Sequence, residues 1–254
     1  MNKNILVTGS SSFLGKSLIT QDKENNYFAL NNRKVLNSNV QPIKSLNEIN
    51  DLDIKTLYHF ANFQDENANF IFDEEINFIS SALNNGIKNI LYSNTFWTNV
   101  EIYQGKPYVR HKKNIEDYLT KLTIENEIKL CVMMLGDVYG QNDFRNKLIP
   151  FLIQNENMKI IKFENHKEAE INLVNVSDII EFINTVKFKI NYEKVDLIGN
   201  TKPLYSIIEI FKNVRDKKFQ TEYSNLKSDS LRYVSSSDRI IDLKISLEDG
   251  FKYL

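Results

Sequence analysis

Residues 4–15 read NILVTGSSSFLG, a short apolar run that breaks into a small, polar turn and then turns apolar again. An apolar run of this length bounded by a turn reads as a buried strand, and residues 13–20 read as the first turns of a helix. A strand, a glycine-bearing turn and a helix form the corner in which backbone N–H groups at a helix N-terminus hold a pyrophosphate. Glycine is needed there wherever a Cβ would block the close approach or the helix packing, and Gly9 and Gly15 stand at such places. Ser12 replaces the usual middle glycine; it is small, and its hydroxyl can donate to phosphate. The expected dinucleotide contacts in this loop are Gly9, Ser11, Ser12, Phe13, Leu14 and Gly15, with a plain strand-turn-helix corner as the alternative.

Working outward, YFALNN (27–32), TLYHFAN (56–62), NILYSNT (89–95) and LCVMMLGDVYG (130–140) each read as a buried strand ending in small or polar residues. Continuously apolar strands are buried on both faces, as in a parallel sheet covered by helices. Ile76, Ile79 and Leu83 recur at helical spacing over 73–86, with Gly86 as the stop, and a second helix over 108–122 follows Pro107. The alternation predicts an α/β chain, a Rossmann-type doubly wound parallel sheet, with ligands beyond the carboxyl ends of the strands. Phe60 and Ala61, just past the TLYH strand, join the expected cofactor contacts. At the end of the second strand, an acid about 20 residues after the loop would hold the ribose of NAD, whereas an arginine accommodates the phosphate of NADP. The chain has Asn31, Asn32 and Arg33 there, so NADP(H) is expected rather than NAD(H), with Asn31 and Arg33 as contacts; a solvated Arg33 is the alternative.

After Pro150 the pattern loosens. MKIIKF (158–163) and INLVNV (171–176) read as strands, Asp178 as the cap of IIEFINTV, and SIIEIFKNV and SLEDGFKYL as short amphipathic helices. The expected division is a dinucleotide-binding domain over 1–150 and a small substrate-binding lobe over 151–254, with 171–176 and the helix after it returning to the first domain.

Composition narrows the function classes. The 254 residues carry 32 basic and 33 acidic side chains, a formal net charge of −1, which leaves no global basic field to hold a nucleic acid. No apolar run approaches the roughly 18 residues needed to cross a bilayer, and no secretion signal is visible, so a soluble, cytoplasmic chain is expected. One cysteine, Cys131, in an apolar run, excludes an internal disulfide and a multi-thiolate zinc site; no metal is expected.

Tyr108 and Lys112, in YVRHK, stand at i and i+4 and share one helix face. A phenol near pKa 10 is a poor acid or base at neutral pH, and a cation close by stabilises the phenolate. Upstream, Thr95 ends the NILYSNT strand, where a hydroxyl can polarise a carbonyl. A surface Tyr–Lys pair is the plain alternative, but the three features stand in one order.

Through TGSSSFLG, YHFAN, ILYSNT, PYVRHK, GDVYG and INLVNVSD, the chain resembles the extended short-chain dehydrogenases/reductases, the NAD(P)-dependent epimerase/dehydratase group that acts on nucleotide sugars. The resemblance implies that Tyr108 is the acid/base, that Lys112 lowers its pKa and holds the nicotinamide ribose, and that Thr95 binds the substrate oxygen. It also implies that Asn77 anchors a proton-relay water and that the chain is a homodimer through helices 73–86 and 108–122. His59 and His111 have no role in the pattern and are expected as a packing residue and a solvated helix residue. Dehydratases of the group place an Asp-Glu pair after the threonine, where this chain has Phe96 and Trp97, so dehydration is disfavoured. NTFW and GDVYGQNDFRNKLIP look most similar to the synthases of CDP-abequose and CDP-paratose, which implies an NADPH-dependent 4-ketoreductase of a nucleotide-activated deoxysugar in surface-polysaccharide synthesis. A 4-epimerase retaining NAD and a non-catalytic dinucleotide-binding regulator are the alternatives. The expected substrate residues are Asn77, Phe96, Trp97, Asp137, Arg145 and Lys147. Trp97 reads equally as a core aromatic, and Arg145 and Lys147 as an exposed charged loop.

Overall fold

The computed structural model describes residues 3–30, 39–125, 128–199, 201–225, 235 and 237–254. From the N-terminus, β1 (Asn4–Thr8) turns into α1 (Phe13–Gln21), followed by β2 (Asn26–Leu30), β3 (Val40–Ile43), α2 (Glu48–Asp51) and β4 (Thr56–His59). Then come α3 (Phe72–Asn84), β5 (Asn89–Thr95), two 3-10 turns (Phe96–Asn99 and Glu101–Tyr103), α4 (Pro107–Glu125) and β6 (Lys129–Leu135). The remainder comprises β7 (Asp137–Tyr139), α5 (Leu148–Asn155), β8 (Ile160–Phe163), β9 (Glu170–Asn175), α6 (Val176–Thr185) and β10 (Tyr192–Leu197). It closes with β11 (Thr201–Pro203), α7 (Leu204–Arg215), β12 (Gln220–Tyr223), β13 (Arg239–Ile240) and α8 (Leu247–Lys252).

The main sheet runs β13-β10-β6-β5-β4-β1-β2-β3, with every pairing parallel. Leu14 and Leu18 of α1 pack with Ile179 and Ile183 of α6 on one face. Ile79 of α3 and Ile115 and Leu119 of α4 cover the other. Covering on both faces is why the strands read as unbroken apolar runs. The chain winds outward from β1 to β3 and then crosses back to β4, which puts the switch point between β1 and β4, with the ligand crevice at their carboxyl ends. This is the expected doubly wound α/β fold. A third core, with Tyr139, Leu152, Phe211 and Phe251, gathers α5, α7 and α8 beside that edge.

Several local expectations change. LCVMMLGDVYG is two strands, not one: β6 stays in the main sheet, and β7 leaves at Gly136 to pair with β9 in a three-stranded sheet. A Cβ at Gly136 would lie 2.2 Å from Asn172 Oδ1, so the turn-off passes where only glycine fits. Asn175, not Asp178, caps α6 by accepting from Ser177 N, while Asp178 accepts from Lys244 N instead. Residues 150 and 151 lie inside α5, because Pro150 occupies its first turn, where no intrahelical donor is needed. The sequence reading missed β10, whose YEKVDL carries charges at inward positions. Lys194 is paired with Glu116 at 2.7 Å, and Asp196 accepts from the Ser235 hydroxyl at 2.6 Å. Among the described residues, no helix is long and apolar enough to cross a membrane.

Candidate active site

Gly9 takes a positive φ of +70°, and a Cβ there would lie 2.9 Å from Ala61 N, so the loop can lie against the end of β4 only with glycine. A Cβ at Gly15 would lie 2.2 Å from Gly9 O, which lets α1 start in contact with the loop. Ser12 N donates to Gly9 O, and the Ser12 hydroxyl caps α1 by accepting from Gly15 N at 3.2 Å, leaving its own proton to donate outward. The serine in place of a middle glycine is thus the helix cap. Gly9, Ser10 and Ala61 line a pocket of ≈ 300 Å³ that continues past Asn62 into a second cleft.

That second cleft, of ≈ 620 Å³, gathers Ser11, Ser12, Phe13, Leu14 and Phe60 from the dinucleotide side with Thr95, Trp97, Tyr108, Lys112, Asp137, Arg145 and Lys147. The convergence follows from topology: in a parallel sheet, strand ends and the first turns of the following helices share one edge. Pro107 starts α4, so Tyr108 and Lys112 fall in its first turns, next to Thr95 at the end of β5. Lys112 is 2% exposed; its Nζ donates to Ser93 O at 2.7 Å and lies 4.7 Å from the centre of the Tyr92 ring. Burial pulls the ammonium down to about 8, with the Glu75 charge opposing the shift. Burial, helped by the Asp137 charge, pushes the Tyr108 phenol up to about 12. The lowered phenol that the resemblance implied is therefore not found in this arrangement, in which the ammonium is turned to Ser93. Thr95 Oγ1 sits at the start of the 96–99 turn, 3.4 Å from the donating Trp97 N. Beneath it, Asn94 Oδ1 accepts from Thr95 N, and Asn94 Nδ2 donates to Glu116, which is paired with Lys194.

The substrate set divides. Trp97 stands on the wall, edge-on to Tyr108 with centroids 6.4 Å apart and packed on Tyr103 at 4.6 Å. Asp137 is the sole carboxylate lining the cleft among the described residues; burial raises its pKa, with Lys147, 3.9 Å away, and Arg145 opposing. Arg145 is pinned rather than free: Nε and Nη2 donate to the two Asp143 oxygens at 2.7 and 2.8 Å, and the guanidinium lies over the Phe13 ring. Lys147 is half exposed and also lines an adjoining cavity of ≈ 670 Å³ with Lys106, Phe151 and Lys162. Two expectations fail. Phe96 is buried in the interior and does not line the cleft, because the turn after Thr95 points it inward. Asn77 lies on the exposed face of α3, whose inward residue in that turn is Glu75. Asn31 and Arg33 lie outside the described residues.

Two features escaped the sequence reading. Asn62 Oδ1 is buried with no hydrogen-bond partner where the two pockets meet. Its signal was its place at the end of YHFAN, beyond a strand. The other is a buried cluster in which Glu75, at 0% exposure, lies between His59 and His111. His111 is thus not solvated: it is 5% exposed and stacks on Phe70 with centroids 4.8 Å apart.

Over residues 5–189 the chain matches the NAD dependent epimerase/dehydratase family, and it belongs to that family. Solved structures share the fold across almost the whole chain. UDP-glucose 4-epimerase from Thermotoga maritima, solved with UDP-glucose, is 19% identical over 98% of this chain and 96% of its own, with a TM-score of 0.74. dTDP-glucose 4,6-dehydratase from Bacillus anthracis, solved with NAD, is 18% identical over 98% and 94%, with a TM-score of 0.75. The NDP-hexosamine 5,6-dehydratase of tunicamycin biosynthesis is 12% identical over 99% and 96%, with a TM-score of 0.76. No curated protein matches the chain.

Proposed function

We propose that the protein reduces the 4-keto group of a nucleotide-activated deoxysugar. The observation that carries this reading is the meeting of Thr95, Tyr108 and Lys112 in one cleft whose threonine is followed by no carboxylate. Phe96 turns into the core and Trp97 forms a wall, so the acid and base for water elimination are missing from the positions after Thr95.

The residues fit a dinucleotide. The Gly9–Gly15 corner leaves no room for a Cβ, and Asn62 Oδ1 is a buried acceptor still lacking a donor. When bound, the reduced cofactor supplies hydride to the ketone carbon. Ser11, Ser12 and the backbone of the loop hold the pyrophosphate, Lys112 holds the nicotinamide ribose, and the Thr95 hydroxyl donates to the ketone oxygen. Tyr108 gives its proton to the oxygen as the carbon is reduced, so that ketone, hydride and one proton sum to the alcohol. Burial keeps the phenol protonated at neutral pH, so Tyr108 holds the proton to be given, while making it a weaker acid, so the transfer calls for a cation beside the phenolate as it forms. The adjoining cavity, with Lys106, Lys147 and Lys162, suits the diphosphate and base of the carrier. We carry NADP(H) over NAD(H) on Arg33 and the absence of an acid at 31–33, although solved neighbours hold NAD. The homodimer through α3 and α4 is carried on the family resemblance.

The test is absorbance at 340 nm with NADPH or NADH and a panel of CDP-, dTDP-, GDP- and UDP-4-keto-6-deoxyhexoses. Oxidation of NADPH with one of them is expected; silence with both cofactors overturns the reading. A 4-epimerase is the second reading, supported by the likeness to UDP-glucose 4-epimerase. It requires product from an NDP-hexose without added reductant, together with copurified NAD.

A further inference from the structure

Glu75 accepts three hydrogen bonds: His59 Nε2 at 2.9 Å on one oxygen, and His111 Nε2 at 3.0 Å and Phe63 N at 2.7 Å on the other. The proton positions on His59 follow from its neighbours. Thr8 Oγ1 accepts from Phe60 N at 3.2 Å and Ala61 N at 3.3 Å, which leaves its own proton for His59 Nδ1 at 2.8 Å. His59 is then neutral, with its proton on Nε2 facing Glu75. A carboxylate with three donors and no spare proton is ionised. Burial works against that state, but hydrogen bonds from His111 and His59, the charge that His59 carries once protonated at low pH, and the Phe63 N–H hold Glu75 far below the usual carboxylate range. With His111 neutral as well, the cluster carries one negative charge, on a group at 0% exposure.

Lys112 is the buried cation beside it. It follows His111 in α4, and it lies over Tyr92, whose ring stacks on His59 with centroids 5.7 Å apart. Its ammonium meets the carbonyl of Ser93, and no carboxylate lies within ion-pair distance of it among the described residues. The other charged or titratable groups around the pair are accounted for. Glu116, one turn along α4, is neutralised by Lys194 at 2.7 Å; Asp137, from β7, faces Tyr108 and Lys147; and Tyr92 is held neutral by burial.

We propose that Glu75 is a positioning residue for the Tyr108–Lys112 pair: carried by two neutral imidazoles, its carboxylate is the counter-charge that keeps the Lys112 ammonium protonated inside the protein. The role of that ammonium rests on the functional reading above, whereas the charge relation is measurable without cofactor or substrate.

The experiment is an NMR titration of the full chain labelled with 13C at lysine Cε, with Lys112→Met assigning the signal. In the wild type the Lys112 midpoint is expected near about 8. In Glu75→Gln it should fall by at least about one pH unit, and in His111→Gln, which keeps the carboxylate, by well under half of that. A residue that merely packed would move neither midpoint, and equal midpoints in wild type and Glu75→Gln overturn the proposal. Should Glu75→Gln fail to fold, the imidazole 15N spectrum of the wild type decides. With three histidines in the chain, two neutral rings carrying Nε2 protons are expected at pH 7, and an imidazolium at His59 or His111 would cancel the charge and overturn the proposal. Dinucleotide affinity measured by fluorescence over the same pH range separates the two readings. A moved midpoint with flat affinity removes the cofactor role of Lys112 and leaves Glu75 standing; a fixed midpoint with pH-dependent affinity does the reverse.

Discussion

Two glutamates are buried beneath the cleft, and they are kept there in opposite ways. Glu116, on the β6–β10 side, meets Lys194 at 2.7 Å, Asn94 at 2.6 Å and Tyr192 at 3.3 Å, so its charge is cancelled on the spot. Glu75, on the β4 side, meets two imidazoles and a backbone N–H and no lysine or arginine, so with both rings neutral, as proposed, its charge stays. Burial of a carboxylate is therefore not one situation. A paired one braces Thr95 through Asn94; one held by neutral imidazoles is, in our proposal, the counter-charge of Lys112.

The strongest break to that contrast is chemical. Tyr108→Phe removes the proton donor and leaves both glutamates intact, so turnover in the 340 nm assay should fall by about 10²–10⁴-fold with little change in stability. Near-normal turnover would show that neither glutamate supports a working tyrosine. Next in size is Glu116→Ala, which strands the Lys194 ammonium in the interior and should cost about 3–5 kcal/mol in urea unfolding. A cost under about 1 kcal/mol would mean that the pair is solvated and the contrast with Glu75 is false.

A subtler test follows the cation itself. Lys112 loses its proton as pH rises through about 8, so dinucleotide affinity should be steady below that value and weaken above it. The same shift has a sign for folding: a lysine whose pKa is lower folded than unfolded weakens the fold below about 8. Stability then recovers between there and the ordinary 10.5, where the unfolded chain binds more protons. Fluorescence titration with the dinucleotide from pH 6.5 to 9.5 reads the first effect, and the absence of any decline would remove Lys112 from the binding site. The smallest effect is expected at Asn77→Ala. The side chain is exposed, on the face of α3 away from Glu75, and does not line the cleft, so stability should change by less than about 0.5 kcal/mol and turnover not at all. A loss of turnover there would restore the proton-relay role and weaken the assignment of α3's contribution to Glu75.

What was legible in the chain was local or periodic. NILVTGSSSFLG announced its strand, turn and helix, and the i, i+4 spacing of Tyr108 and Lys112 put both on one face of α4. Continuously apolar strands announced a sheet covered on both sides. Where polarity interrupted the pattern, reading failed: β10 was missed because its charges are satisfied by partners far along the chain, and α5 because its proline sits harmlessly in the first turn. Phe96 and Trp97 are neighbours in sequence, yet one is core and the other cleft wall, a choice made by the 3-10 turn that both belong to.

By itself the sequence determined the alternation of strands and helices up to β6, hence the α/β class, and the chemical inventory at those strand ends, because these follow from side-chain period and backbone preference within a few residues. Only the tertiary structure decided which of those groups meet. His59, Glu75 and His111 are separated by 16 and 36 positions. They come together because a parallel sheet delivers the end of β4 and the first turns of α3 and α4 to one edge. There, with water excluded, each buried polar group had to find its partner inside the protein.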